Sequence, residues 1–357
     1  MRQETSTGIV TDKDGVIAES YTGKAELGWT IFDGAKMFAT RKKLQTLQQI
    51  GELDVKRQIT MTIASVAATY FELVREQQLV QKNLATFNLY DERKRLADRK
   101  LTLGNAAKTE LLQANVDYNT QKSNLYTLKN NLRSAQIRLN ELLVHPFDET
   151  LIAVDSLSPD TTLQFGDYLN KLENGNLDLQ EQLLLSEVSN QELKETKAGF
   201  FPQLDVNAAY NYNNNIATQG FYLKNQVYGP SAGIGLKWNI FNGSNQQRLT
   251  KNAKLSQQNA QLNVSLIKQT VNSALATSWT NYQSALVIYH NELESEKFAL
   301  ENLDIMTKRF RLNESNVLEL RTAQQTVEEV QIRLANALYN CNISKVELQQ
   351  LTGTLIK

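Results

Sequence analysis

GWTIFDG occupies Gly28–Gly34 and KWNIFNG occupies Lys237–Gly243, two near-copies of one heptapeptide. Trp29 and Trp238 lie 238 − 29 = 209 positions apart. The same offset carries Leu27 onto Leu236, Ile31 onto Ile240, Phe32 onto Phe241 and Gly34 onto Gly243. Downstream it carries Leu84 onto Leu293, Leu103 onto Leu312, Glu110 onto Glu319, Leu111 onto Leu320, Leu139 onto Leu348 and Leu142 onto Leu351. An ungapped offset of this extent marks an internal duplication. Segments 24–144 and 233–353 are therefore expected to share one architecture.

That architecture reads as helix. Between Gly34 and His145 there is no proline, and the only glycines are Gly51 and Gly104. Between Gly243 and Gly353 there is neither. Proline costs about 3 kcal/mol inside a helix and glycine about 1, so both stretches suit long helices. Apolar residues recur at steps of four and three. Ile59, Ile63, Val66, Tyr70, Leu73, Val80, Leu84 and Phe87 form one such row, interrupted by Gln77. Leu111, Ala114, Tyr118, Leu125, Leu128, Leu132, Ala135 and Leu139 form the returning row, interrupted by Gln121. A 3.5-residue period predicts helices packed side by side. Gly104–Asn105 breaks the first repeat, since both residue types tolerate the left-handed conformation that ends a helix. Asn313 lies at the matching place in the second.

Next to each heptapeptide the period falls to two. Ala25, Leu27, Trp29 and Ile31 alternate with polar or small residues, as do Leu204, Val206, Ala208, Tyr210 and Tyr212, and Ala232, Ile234, Leu236 and Trp238. Alternation predicts strands with one apolar face. From alternation alone, an amphipathic sheet packed on a core is the simpler reading; strands of a membrane barrel carry the same pattern. The polar stretch NYNNNIATQGFYLKNQVYG reads as a long loop between two strands, and TLIAVDSL as a further strand. The first-repeat equivalent of Pro202 falls at 202 − 209 = −7, before Met1. The expectation is that a first helix, a first strand and any signal peptide are missing from this chain.

Composition narrows the function classes. The 38 basic and 38 acidic residues cancel, which leaves no net field for nucleic acid or an anionic membrane surface. One cysteine allows no internal disulfide. His145 and His290 lack neighbouring ligand patterns, and Cys341 sits in an apolar helical row. No phosphate loop, nucleophile elbow or paired-histidine metal motif occurs, so no enzyme activity and no cofactor is expected. Three readings remain: a passive export channel, a structural coiled-coil protein, and a periplasmic adaptor, which normally carries one helical hairpin where this chain has two.

Short motifs, taken in order, point among these. KAGFFPQL (Lys197–Leu204), LKWNIFNG, RKLTLGNAAKTELLQA, KRFRLNESNVLELRTA and NLDLQ (Asn176–Gln180) resemble the helix-to-strand entry, strand-to-helix exit, helix tips and helix start of the outer-membrane efflux proteins of the TolC type. The resemblance covers nearly all of residues 24–353. It implies a mainly α fold with a β membrane part: duplicated coiled-coil hairpins forming an α-barrel, and strands of a trimeric transmembrane β-barrel in outer-membrane lipid. The parts would be a loop and strand of an incomplete β-hairpin (1–34), a helical hairpin (35–144), an equatorial segment (145–175), a helix (176–200), a second β-hairpin (201–242), a second helical hairpin (243–353) and a tail (354–357). It further implies a homotrimer in the outer membrane of a Gram-negative bacterium, with its helices in the periplasm. Its partners would be a periplasmic adaptor and an inner-membrane transporter in tripartite efflux or type I secretion. Leu103, Gly104, Asn105, Leu312, Asn313 and Glu314 would be the adaptor-contacting tips. Glu319 and Glu110, with Arg321 to pair with an acid, would form a periplasmic gate. Family members often carry a second acid where this chain has Thr322. Trp29 and Trp238 would sit at the membrane boundary.

Overall fold

The computed structural model describes residues 2–4, 10–12, 17–104, 106–154, 157–218, 223–312 and 314–356. Strands β1 (Arg2–Glu4) and β2 (Val10–Asp12) pair antiparallel; β3 is Ala18–Asp33. Helices α1 (Lys36–Thr102), α2 (Lys108–Leu143), α3 (Phe165–Gly175) and α4 (Leu177–Ala198) follow. Strands β4 (Gln203–Ala217) and β5 (Lys224–Lys237) come next, then α5 (Asn245–Arg311) and α6 (Val317–Leu351). Helices α1 and α5 each have 67 residues, about 100 Å at 1.5 Å per residue. The chain divides into two compact units, one of Met1–Gln49 with Leu184–Leu262, the other of Ile50–Leu183 with Asn263–Lys357.

In the first unit the repeated heptapeptide is a strand-to-helix turn. Gly34 and Ala35 take φ of 70° and 68°, and Gly243 and Ser244 take 66° and 65°. Two consecutive left-handed residues favour glycine at the first. The preceding Asp33 and Asn242 then act as caps: Oδ1 of each accepts from the backbone N–H four residues on, Met37 and Gln246, at 3.1 Å in both repeats. These bonds use donors that a helix start leaves unpaired.

Strands β3, β4 and β5 form an antiparallel sheet in that order. The register extends further than expected. The asparagine-rich stretch read as a loop is mostly strand, because Asn213 pairs with Val227 and Ile216 with Lys224. Side-chain bonds offset the poor strand propensity of asparagine: Thr22 Oγ1 donates to Asn213 at 3.3 Å and Ser20 Oγ to Asn215 at 2.7 Å.

The second unit holds α2, α6 and the greater part of α1 and α5, whose first turns belong to the first unit; the elements obey the duplication, since α1 and α5 start 245 − 36 = 209 apart, and α2 and α6 start 317 − 108 = 209 apart. Leu73, Ala135 and Leu139 pack between α1 and α2. Ala299, Leu303, Phe310, Leu320, Ala323, Val327 and Val330 pack between α5 and α6. Tyr168 and Leu172 of α3 cover Leu275, Tyr282 and Leu348. Several residues of the predicted seams, Ile59, Ile63, Leu84 and Leu293, stay exposed in this chain.

The described residues of TLIAVDSL form no strand. Side-chain amides of α1 and α2 hold this strap instead. Gln77 donates to Ala153 O at 3.1 Å and accepts from Ala153 N at 3.0 Å, while Gln136 and Asn140 donate to Leu151 O and Glu149 O at 2.9 Å. Those bonds satisfy the backbone groups that a neighbouring strand would otherwise use. Asn176 of NLDLQ is buried and joins two helix ends: its Oδ1 accepts from Leu179 N, capping α4, and its Nδ2 donates to Leu351 O at the end of α6, both at 2.9 Å.

Candidate functional site

The sheet sorts its side chains by face. Cross-strand rows Trp29–Val206–Ile234 and Leu27–Ala208–Ala232 lie on one face. Rows Thr30–Asp205–Gly235 and Glu26–Ala209–Ser231 lie on the other. On the apolar face Trp29, Leu27, Ile234 and Leu236 are each about 70% exposed or more (74%, 72%, 77% and 69%). An apolar face this open marks a surface made for another apolar phase or partner. Trp238, just beyond β5, is exposed and donates Nε1–H to Phe200 O at 3.1 Å. The polar face is ordered within itself: Thr30 Oγ1 donates to Asp205 at 2.6 Å, and Asn211 Nδ2 to Ser231 Oγ at 3.0 Å. Among the described residues the outer edges of β3 and β5 have no strand neighbour.

The hairpin tips lie in the other unit. Gly104, with φ of 74°, ends α1, and its N–H donates to Leu101 O at 3.0 Å. A Cβ there would meet no neighbour, so its conformation alone favours glycine. Leu103 and Leu312 point outward, and Glu314, also exposed, donates its N–H to Arg309 O at 2.9 Å. Asn105 and Asn313 lie outside the described residues. The tips differ in how the second helix starts. Ala107 offers α2 no side-chain cap, whereas Asn316 Oδ1 accepts from Glu319 N at 2.9 Å and its Nδ2 donates to Glu319 Oε1 at 3.2 Å. Glu319 is thus an exposed first-turn acid held by its own cap. Glu110 is half-buried in the first turn of α2.

Arg321 lies against an acid that sequence reasoning did not single out, Asp117 of α2, at 3.3 Å. Asp117 is buried and also paired with the buried Arg93 of α1. Arg93 donates to Gln324 Oε1 at 2.9 Å, and Gln113 Nε2 to Asp117 Oδ1 at 2.8 Å. The network ties α1, α2 and α6 together near the tips. Arg93 and Asp117 sit 24 positions apart and look like ordinary helix-surface residues in sequence; only the break in heptad pattern at Gln121, one turn on, hinted at a polar seam there.

Elsewhere the titratable groups are unpromising for chemistry. Among the described residues no cluster of metal-ligating side chains exists. His145 pairs with Glu149 at 3.2 Å on an exposed loop, and His290 is exposed. Burial pushes the Cys341 thiol up to about 11, away from the reactive thiolate. No described helix is long and apolar enough to cross a membrane.

Comparison with known proteins completes the picture. The outer membrane efflux protein family matches residues 1–144 and 168–354. The outer membrane protein TolC of Escherichia coli is 21% identical over 96% of this chain and 71% of its own length. The outer membrane efflux protein BepC of Brucella suis is 20% identical over 92% and 71%. Among solved structures, the outer membrane protein VceC of Vibrio cholerae superposes with a TM-score of 0.77 at 15% identity, covering 95% of this chain and 87% of that one. The CmeC channel of Campylobacter jejuni also gives 0.77, at 16% identity over 96% and 78%. The chain belongs to the outer membrane efflux protein family: it is an outer-membrane channel protein of efflux systems, in a family of channels rather than enzymes.

Proposed function

We propose that the chain is one subunit of a homotrimeric export conduit that docks through its hairpin tips on a periplasmic adaptor served by an inner-membrane transporter. The observation that carries this reading is the sheet: a broad apolar face open to its surroundings, with strand edges on both sides lacking a neighbour among the described residues. An open edge is unstable unless paired, and a barrel closed by strands of further copies pairs it while the apolar face meets lipid. The exposed seam residues Ile59, Ile63, Leu84 and Leu293 support the same reading, since helices of other subunits would cover them. In this scheme residues 1–34 and 201–242 serve the barrel, 35–144 and 243–353 the helical tunnel, and 145–175 its girdle. Trp29 and Trp238 belong at the lipid boundary.

Exposed Leu103 and Leu312, with Gly104, Asn105, Asn313 and Glu314, are the adaptor-contacting positions. Glu319 and Glu110, repeated by threefold symmetry, make an entrance that attracts cations and repels anions. Arg321 on Asp117 holds the neighbouring helices in the closed arrangement. Native mass measurement in detergent is expected to find trimers, and planar-bilayer recordings are expected to show cation selectivity that falls in a Glu110→Gln, Glu319→Gln double variant. A stable monomer refutes the assembly; unchanged selectivity removes the two acids from the gate.

A further inference from the structure

A cavity of about 530 Å³ lies in the first unit, where the sheet meets the starts of α1 and α5; Asp33, Lys36, Glu195, Phe201, Lys237 and Leu249 are among its lining residues. Asp33, Gln203 and Lys237 form one cross-strand row. Gln203 lies two residues before Asp205 on β4, so this row belongs to the polar face of the sheet. The channel reading uses neither the cavity nor its lysines. Gly199 shapes the cavity wall: a Cβ there would come within 2.7 Å of the Gln246 side chain, which donates to Thr196 O.

The acids of the cavity are engaged and its cations are not. Asp33 Oδ1 accepts from Met37 N as the cap of α1. Glu195 is paired with Lys43 at 2.6 Å. Asp205, which feels the Lys237 charge, accepts from Thr30 and Gln203 at 2.6 and 3.0 Å. Lys36 and Lys237 are exposed, and among the described residues neither has an ion pair or a side-chain hydrogen bond. Lys36 acts on Glu195 only at longer range. Both ammonium groups, with three N–H donors each, are therefore open to a guest. Helix α1 starts at Lys36, which puts the positive end of its dipole at the same place. Phe201 and Leu249, on the same cavity, are 57% and 40% exposed. Bare apolar surface beside open cations calls for a guest with an apolar body and a negative group.

We propose that this cavity binds a small aromatic carboxylate, its oxygens accepting from Lys36 and Lys237 and its ring lying against Phe201 and Leu249. An inorganic anion leaves the apolar wall wet, and a neutral aromatic leaves the ammonium groups unpaired. The duplication does not repeat the site, because the 209 offset sets Asn245 opposite Lys36 and Gly28 opposite Lys237. One site per chain follows. All its residues come from one chain, so occupancy does not depend on assembly. Only its placement rests on the channel reading, in which the polar face lines the lumen and the cavity lies in the conduit wall.

The test is calorimetric titration of sodium benzoate into the full chain in non-ionic detergent at about pH 7, where the carboxylate and the lysines are both ionised. One saturable site per chain is expected, with a dissociation constant on the order of a millimolar, because both lysines are solvated. Binding should weaken several-fold between about 0.05 and about 0.5 M salt. Lys36→Gln and Lys237→Gln should each weaken it by about threefold to tenfold, and the double variant should lose saturable binding. Phe201→Ala should bring benzoate down to the affinity of acetate. These side chains are exposed, so the variants should keep the fold, which circular dichroism checks. Absence of saturable binding to the unaltered chain overturns the proposal. So does undiminished binding to the double lysine variant, or equal binding of benzyl alcohol or of acetate to the unaltered chain. A monomeric chain that still binds benzoate would support this site while refuting the trimer.

Discussion

The two hairpins begin their helices 209 positions apart, yet they bury different chemistry. In the first, Glu76, Thr86, Arg93, Asp117, Gln121, Gln136 and Asn140 are buried. The 209 offset sets Ala285, Asn302 and Val330 opposite Glu76, Arg93 and Gln121. The second hairpin buries Leu303, Phe310, Val327, Val330 and Leu334 instead, with Gln324, Ser344 and Thr352 its buried polar residues among those described. Duplication preserved length, caps and turns while the interiors diverged. A buried polar network specifies which helices meet and at what register, at some cost in stability; an apolar seam gives cohesion with less discrimination. Here the first hairpin carries the network that captures Arg321 and Gln324 of α6, so the second hairpin is held by the polar seam of the first.

The largest test of this contrast is at Arg93. Its replacement by Ala leaves the buried Asp117 with only Gln113 and the 3.3 Å pairing to Arg321, and is expected to destabilise the chain by about 3 kcal/mol. Asn302→Ala, at the equivalent and exposed position of α5, should stay within about 0.5 kcal/mol. Chemical denaturation followed by circular dichroism measures both; equal losses would erase the division between the hairpins.

A second test uses the packing side of the contrast. Leu275 is fully buried under α3, while Val66, its equivalent in α1, is half-buried. Leu275→Ala should cost about 2–5 kcal/mol and leave a void. Val66→Ala should cost about 1 kcal/mol, because fewer methyl groups leave a less enclosed site. Thermal unfolding of the two variants compares them directly, and a larger loss at Val66 would show that the first hairpin depends on its apolar seam after all.

The smallest effect sharpens the comparison at the tips. Asn316→Ala removes the cap of α6 and should cost about 1 kcal/mol, whereas Ala107→Asn adds a cap that α2 lacks and should return a similar amount. Hydrogen exchange at the first-turn amides reports each cap locally. A loss of protection in α2 on adding asparagine would mean that the first tip cannot adopt capping geometry.

These contrasts were unevenly legible in the sequence. The helices were, because proline-free stretches and the 3.5-residue period depend only on local rules, and so was the sheet's apolar face, because Leu27, Trp29 and Ile234 follow strict alternation. Gln77 and Gln121 stood out as interruptions, but their purpose depends on a strap and a network assembled from distant positions. Arg93 and Asp117 left no local trace, since charged residues on a long helix normally face water. The asparagines at 213–215 read as loop because propensity ignores their cross-strand partners Thr22 and Ser20. The roles proposed for Leu103, Leu312, Glu110 and Glu319 would rest on assembly with other chains, and no single chain encodes that visibly.

The pairing of β3 with β4 carries a consequence for the order of folding. Ile216 meets Lys224 across a short connection, whereas Ala18 meets Ala217 only after the first hairpin, α3 and α4 have been made. Closing the longer loop costs roughly 3 kcal/mol more by chain entropy alone. The β4–β5 hairpin is therefore the natural nucleus, and β3 joins late. Until then the nascent chain presents Leu27, Trp29 and Ile31 on an unpaired apolar ribbon, the segment a holding chaperone would have to shield.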